Sequence, residues 1–195
     1  MNPRVFLRKP SSRVVNTFLE LQRSCQLTYD EMGCTQNGSV EGFDCDRYRV
    51  ELGKGEAVFA AACEAIGDWR MFPAAWTQVV HEHGIRADET IAVLIKVCGV
   101  WWLNSTRIVY VIDDRERRFG FAYGTLPGHV ESGEELFMVQ WDEDDTVWYD
   151  LRAVSRPRHW VTRLGYPLAR LLQRRFARDS QRAMVEATLT ARSLE

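Results

Sequence analysis

Residues 119–137, FGFAYGTLPGHVESGEELF, are the most regularly patterned part of this chain. The first half alternates aromatic with small residues, namely Phe119, Phe121 and Tyr123 against Gly120, Ala122 and Gly124. Because side chains alternate across a strand, one face of this strand is aromatic and the other is nearly bare. A bare face lets a helix, a ligand or another backbone come close. The segment therefore predicts a strand, a turn and a second strand, with one face open to close packing.

Strands are predicted for most of the chain between residues 77 and 155. Period-two alternation and turn residues predict strands at 77–81, 90–98, 107–112, 118–126, 134–141 and 146–154, preceded by one at 46–52. The Gly53-Lys54-Gly55 turn is expected to break that first strand. Short turns join neighbouring strands only as antiparallel pairs. The prediction is an antiparallel sheet.

Three segments have the apolar spacing of helices. They are residues 11–25, residues 57–66 and a long closing segment at 158–189, in which Pro167 is expected to kink or divide the helix. Residues 27–43 are predicted to be irregular. We expect one structural unit, with residues 1–45 as an N-terminal helical extension packed on a main domain of residues 46–195.

The order of these elements predicts an α+β fold. A bent antiparallel sheet cannot leave its apolar inner face wet, and a long apolar-striped helix that arrives last is the natural cover. This arrangement resembles the helix-grip architecture of the START and pollen-allergen superfamily. The resemblance implies a curved sheet wrapped around the C-terminal helix, with a cavity between them.

The central phrase also resembles the signature of a family of bacterial and plant proteins described only as a domain of unknown function. The hallmark is FGFAYGTLPGHxExGEE followed by an aromatic residue, and residues 119–137 match it throughout. Outside this phrase, the matching residues are Tyr29, Gly33, Thr35, Leu52, Gly53, Gly55, Phe59, Trp69, Trp76, Ser155, Arg156, Pro157, Pro167 and Gln173. The resemblance spans roughly residues 27–184, with Cys34 standing where a small residue such as Ala is expected. It implies lineage and no particular activity.

Composition narrows the classes of function. A net charge of -2 lacks the basic excess of a nucleic-acid binder. The five cysteines form no CxxC pair, which favours free thiols in a reducing cytoplasm. The first 15 residues carry charge where a signal peptide needs an apolar core, and no apolar run is long enough to span a bilayer. We expect a cytoplasmic protein with neither a nucleic-acid partner nor a transmembrane segment.

His129 is the centre of the candidate catalytic residues. It follows Pro127-Gly128 in a turn, close to the carboxylates of Glu134 and Glu135. A carboxylate beside a histidine can orient the ring for acid or base catalysis, and Tyr123 can donate a hydrogen bond to a carbonyl. As an alternative to ligand binding alone, these residues would suit an enzyme of cyclase, hydratase or hydrolase type that uses His129 with Glu134 or Glu135. The alternative is structural, since polar loop residues often bond their own backbone.

Metal and cofactor chemistry have little support in the sequence. His81 and His83 face the same way in a strand, but a metal site there needs a third ligand. The nucleophile elbow Gly-X-Ser-X-Gly and the dinucleotide phrase GxGxxG are both absent. We therefore expect neither a metal nor a cofactor.

The abundance of aromatic residues predicts a binding site for a small, largely apolar molecule or a lipid. Seven Trp and nine Phe are generous for this length, and aromatic side chains line apolar pockets as well as cores. The predicted ligand-binding residues are Trp76, Trp101, Tyr123, Phe137, Trp148 and Trp160. A further alternative is an interaction or membrane-surface protein that uses the arginine-rich C-terminal helix. The sequence leaves the ligand and the oligomeric state open.

Overall fold

The described residues form eight strands and four helices, of which the sequence predicted all but the first strand and a short helix within residues 27–43. The structure is a computed structural model, which describes residues 4–37, 40–114, 116–157 and 166–192. The strands are β1 (Arg4–Phe6), β2 (Asp44–Lys54), β3 (Thr77–Val80), β4 (Thr90–Val97), β5 (Val100–Asp114), β6 (Arg118–Thr125), β7 (Glu131–Trp141) and β8 (Thr146–Pro157). The helices are α1 (Ser12–Arg23), α2 (Cys34–Asn37), α3 (Gly55–Gly67) and α4 (Tyr166–Arg192).

All eight strands form one curved antiparallel sheet, which confirms the predicted topology. The strand order is β2-β8-β7-β6-β5-β4-β3, and β1 pairs separately with β5. Every neighbouring pair in this order is antiparallel. The alternation did not predict β1, because three residues are too few to show a period of two.

The aromatic face of β6 is the inner face of the sheet. Phe121 lies opposite Phe137 of β7, and both side chains are fully buried. Ala177 and Met184 of α4 belong to the same buried cluster, together with residues of α3. The two helices therefore cover one face of the curved sheet. The predicted α+β helix-grip fold is confirmed.

The bare face of β6 points the other way and is covered by the N-terminal part of the chain. A Cβ built on Gly124 would overlap the Tyr29 hydroxyl and would lie 3.0 Å from Leu27 Cδ2. Glycine is needed there because residues 27–29 cross the strand at close range. The predicted close approach is thus made by backbone and side chains of the same protein, on the face opposite α4.

Helix α1 packs on this outer face further along the sheet. Its buried residues Val15, Phe18 and Leu19 form a small core with Leu94 and Leu103 of β4 and β5. The helix has an apolar stripe at the spacing that the sequence indicated. None of the helices in the described ranges is long and apolar enough to cross a membrane.

Two local expectations about helix and strand ends differ from the structure. Strand β2 continues to Lys54 through an irregularity between Glu51 and Gly53, and α3 begins at once at Gly55. The predicted break is therefore a bulge, which absorbs one residue without ending the pairing. Within the described residues, Pro167 lies in the first turn of α4, where its missing N–H removes no helical hydrogen bond. The first eight residues of the predicted closing helix, 158–165, lie outside the described residues.

Candidate functional site

The register of the sheet divides its inner face into an aromatic part and a polar part. One row across the strands contains, in order, Val111, Phe121, Phe137, Leu151 and Tyr48. The next row in one direction contains Ile108, Tyr123, Glu135, Ala153 and Asp46, and the row after that contains Ile91, Thr106, Thr125, Gly133 and Ser155. Residues in one row are directly opposite each other, so their side chains lie on the same face of the sheet. These three rows are two residues apart along each regular strand, so all of them lie on the inner face. We call Asp46, Asn104, Thr106, Tyr123, Thr125, Glu131, Glu135 and Ser155 the polar band.

Tyr123 and Glu135 form the central pair of the polar band. The Tyr123 hydroxyl donates a hydrogen bond of 2.5 Å to Glu135 Oε2. Burial raises the pKa of Glu135 to about 7, against the lowering effect of this hydrogen bond, and the nearby Glu131 raises it further. Tyr123 is buried, and burial together with the Glu135 charge holds its pKa well above the usual value. Glu135 as a whole residue is partly exposed, while its carboxyl group is in a buried setting.

Two side chains of α4 attach the helix to the polar band. Arg170 donates two hydrogen bonds to the Asp46 carboxylate, at 2.5 and 2.8 Å. Gln173 donates from Nε2 to Glu131 Oε1 at 2.8 Å and to Ser155 Oγ at 3.1 Å. Burial raises the pKa of Glu131, while the hydrogen bond from Gln173 lowers it. These contacts fix the height of α4 above the sheet at this end.

Aromatic rings surround the Tyr123–Glu135 pair on its apolar side. The ring of Phe72 lies 6.4 Å from that of Tyr123 and 5.3 Å from that of Phe137, measured between centroids. Phe176 of α4 lies 6.3 Å from Phe137 and 6.1 Å from Trp76. We call Phe72, Trp76, Phe137 and Phe176 the aromatic wall. A titratable carboxyl beside such a wall suits a molecule with an apolar body and one polar group.

The predicted ligand-binding residues are divided between the two faces of the sheet. Trp76, Tyr123 and Phe137 lie on the inner side and contact the aromatic wall or belong to it. Trp101 packs on the outer face beside the α1 core, and Trp148 lies opposite in direction to the buried inner residue Tyr149. These two tryptophans therefore cannot line a space between sheet and α4. Trp160 lies outside the described residues.

Glu134 is separated from the other predicted catalytic residues. Its carboxylate is buried on the outer side, where it accepts hydrogen bonds from the Tyr29 hydroxyl at 2.8 Å, the Gly33 amide at 2.8 Å and the Thr35 amide at 3.1 Å. The Thr35 hydroxyl also donates to it. Because consecutive residues of a strand face opposite sides, Glu134 does not share a site with Tyr123. Glu135 is the carboxylate on the inner side.

His129 makes contacts that shape its own turn. Its amide donates to the Leu126 carbonyl at 2.8 Å, and its Nδ1 accepts a hydrogen bond of 3.0 Å from the Glu131 amide. Such bonds fix the backbone that leads from β6 into β7. They place Glu131 at the start of β7, at the edge of the polar band.

Sequence reasoning did not single out Asp46, Glu131, Arg170 or Gln173 as one group. Arg170 and Asp46 are separated by 124 positions, and no local pattern links them. The choice between Glu134 and Glu135 did have a signal. Glu135 is two residues from Phe137, so strand parity alone places it on the face with the aromatic rings.

Two open hollows on the surface lie away from the polar band. One of about 340 Å³ is lined by polar residues that include His83, Arg86 and Glu89. The other, of about 750 Å³, lies beside the stacked rings of Phe59 and Trp141 and has carboxylates at its rim. Both are open to solvent. Neither brings together a partly buried titratable group and an aromatic wall, so the inner face is the stronger candidate.

Comparisons with known proteins agree on lineage and fold. A family model described as "Domain of unknown function (DUF1990)" matches residues 28–183. A UPF0548 protein from Dictyostelium discoideum is 32% identical over 202 residues, covering 92% of this chain and 94% of that protein. A UPF0548 protein from Deinococcus radiodurans is 34% identical over 196 residues, covering 93% and 97%. The crystal structure of the di-domain ARO/CYC StfQ from the steffimycin biosynthetic pathway superposes with a TM-score of 0.51 at 9% identity, covering 78% of this chain and 51% of StfQ. This last likeness concerns the fold alone.

Proposed function

The chain belongs to the DUF1990 family, and from its geometry we propose that it binds a small, largely apolar molecule between the inner face of the sheet and α4. The apolar body of the ligand lies against the aromatic wall, and its polar group meets Glu135 and Tyr123. The observation that supports this most directly is the Glu135 carboxyl, which is hydrogen-bonded to buried Tyr123 beside Phe137 and Phe72.

A carboxyl in this position is costly for the protein alone. Taking an ionisable group out of water next to aromatic rings disfavours its charged form, and burial is the main reason for the raised pKa of Glu135. Natural proteins concentrate such groups at binding and catalytic sites. A ligand that bonds to Glu135 would offset part of this cost, which favours a binding role for the polar band.

The experiment is a ligand search with two matched variants. The purified protein is exposed to lipid extracts and to a library of aromatic compounds, and bound species are identified by native mass spectrometry. Trp76→Phe changes a residue of the aromatic wall, whereas Trp148→Phe makes the same change on the outer face. We expect a bound ligand whose affinity falls at least threefold in the first variant only. Absence of any ligand, or equal losses in both variants, contradicts the proposal.

Acid–base catalysis at the same site is the second candidate function. It is favoured by the setting of Glu135, whose carboxyl accepts a hydrogen bond from buried Tyr123 and whose pKa burial raises to about 7. A proton donor or acceptor works best when its pKa is near the working pH. The Tyr123 hydroxyl would orient the carboxyl or polarise a substrate carbonyl. Incubation of an identified ligand with wild type and with Glu135→Gln separates this function from binding. A mass change that only the wild type produces supports catalysis, and a ligand recovered unchanged from both contradicts it.

A further inference from the structure

We propose that the molecule bound at the inner face is a lipophilic amine, whose ammonium group pairs with the Glu135 carboxylate. This inference rests on the proposed function and adds the chemical class of the ligand. It follows from two features of the site: the sign of its charge and the aromatic rings beside it.

The charge of the polar band is negative where the ligand would lie. Glu135 and Glu131 both point into the inner side, and Glu131 is one of the groups that raise the pKa of Glu135. Among the described residues, no Lys, Arg or His forms an ion pair with either carboxylate. Arg170 attracts Glu131 through its charge, but its two short hydrogen bonds go to Asp46. A cation supplied by a ligand would provide the missing ion-pair partner for Glu135.

An ammonium group carries three donors and no acceptor, which suits the oxygens of the Glu135 carboxylate. Glu135 is a partly exposed residue, and one of its oxygens already accepts the hydrogen bond from Tyr123.

The aromatic wall also favours a cation. An ammonium group over the face of an aromatic ring is attracted by the ring quadrupole. The Arg175 guanidinium lies 4.8 Å from the ring centroid of Trp76, so the rings of the wall that a ligand cation would meet are Phe72 and Phe137. A carboxylic acid in the site would instead add a third negative charge beside Glu131 and Glu135. The site therefore discriminates against fatty acids and for amines of similar size.

The test compares three probes with one ring system and different polar groups: 1-naphthylmethylamine, 1-naphthalenemethanol and 1-naphthoic acid. Isothermal titration calorimetry at pH 7.5 with the full chain should give the amine at least tenfold higher affinity than the alcohol, and the acid the lowest affinity. Glu135→Gln should bring the amine to within threefold of the alcohol. Glu143→Gln, at an exposed position, should leave the preference intact.

A second readout follows proton release. The titratable groups that interact with Glu135 are Tyr123 of β6, Glu131 of β7, Tyr149 of β8 and Tyr48 of β2. Asp46 of β2 and Arg170 of α4 act on Glu131 beside it. An ammonium group displaces the proton that Glu135 carries in part near neutral pH, so titrations at pH 6.5 in phosphate and in imidazole buffers should differ in heat for the amine and agree for the alcohol. Melting curves of both variants verify that they are folded.

The outcomes separate the ligand class from the proposed function. Tighter binding of the alcohol or the acid overturns the amine inference and leaves small-molecule binding intact. An amine preference that persists in folded Glu135→Gln also overturns it, because the ammonium group then pairs elsewhere. No binding of any of the three probes to folded wild type overturns the inference together with the proposed function.

Discussion

The Tyr29 hydroxyl donates a hydrogen bond of 2.8 Å to Glu134 Oε2 and so joins the N-terminal segment to β7, 105 positions further along the chain. The same carboxylate accepts from the amides of Gly33 and Thr35. Glu134 is 2% exposed, and these donors replace the water that it loses on folding. Of two consecutive residues in the central phrase, Glu134 therefore stabilises the fold, whereas Glu135 lies in the candidate site.

Glu134→Gln should destabilise the protein by about 2–4 kcal/mol, because it removes a charge that several buried donors satisfy and directs an amide N–H₂ at some of them. Urea denaturation measures the change in the free energy of unfolding. Hydrogen exchange should show faster exchange in residues 28–37. Glu143→Gln is the control on an exposed carboxylate and should change stability by less than about 0.5 kcal/mol. A loss below about 1 kcal/mol for Glu134→Gln would show that the network is not needed.

Gly124→Ala should destabilise the protein by about 1–3 kcal/mol, since its Cβ would overlap the Tyr29 hydroxyl. Gly67→Ala is the matched control, because a Cβ there meets nothing within 4 Å. Adding Tyr29→Phe removes the overlapping oxygen, so the double variant should lose less stability than the sum of the single losses. Thermal and urea unfolding are measured for wild type, the two single variants, the double variant and Gly67→Ala. Additive losses would mean that the two residues do not touch.

Stability should depend on pH through Glu135. The pKa of this carboxyl rises from the ordinary 4.5 to about 7 on folding, so the folded state holds a proton that the unfolded state has lost between these values. Stability therefore falls as the pH rises through this window, by roughly 2 kcal/mol when partial exposure of Glu135 is allowed for. Glu135→Gln should remove this slope, so that its stability relative to wild type improves from pH 4.5 to pH 8. Parallel curves for the two proteins would contradict the raised pKa.

Arg170 and Asp46 should be energetically coupled. Their side chains are 18% and 19% exposed and form two hydrogen bonds between α4 and β2. A double-mutant cycle with Arg170→Met and Asp46→Asn should give a coupling energy of about 1–3 kcal/mol. The pair Arg175 and Asp179 lies more exposed within α4 and serves as the control, with about 0.5 kcal/mol expected. Equal coupling energies in the two pairs would show that the ion pair between α4 and β2 stabilises the protein no more than an exposed pair within one helix.

The alternation of residues determined much of this protein. A period of two over Phe121, Tyr123 and Phe137 fixed which side chains share a face, and short turns fixed antiparallel pairing. The apolar spacing of the last helix predicted that it covers the sheet, and Ala177 and Met184 confirm that it does. Each of these follows from local periodicity, which needs no knowledge of distant residues.

Only the tertiary structure shows which elements pack on each face of the sheet. The alternation in residues 119–126 is compatible with α4 on either side, and the close approach at Gly124 is made by Tyr29 rather than by α4 or a ligand. The tertiary structure also determines that Glu134 accepts hydrogen bonds from the N-terminal segment, whereas Glu135 accepts one from Tyr123. It likewise brings Arg170 into hydrogen-bonding distance of Asp46. The physical reason is that a strand pattern separates two faces but carries no information about their partners. Burial, and with it the pKa of Glu135, depends on side chains that lie far away in sequence and close only in the folded protein.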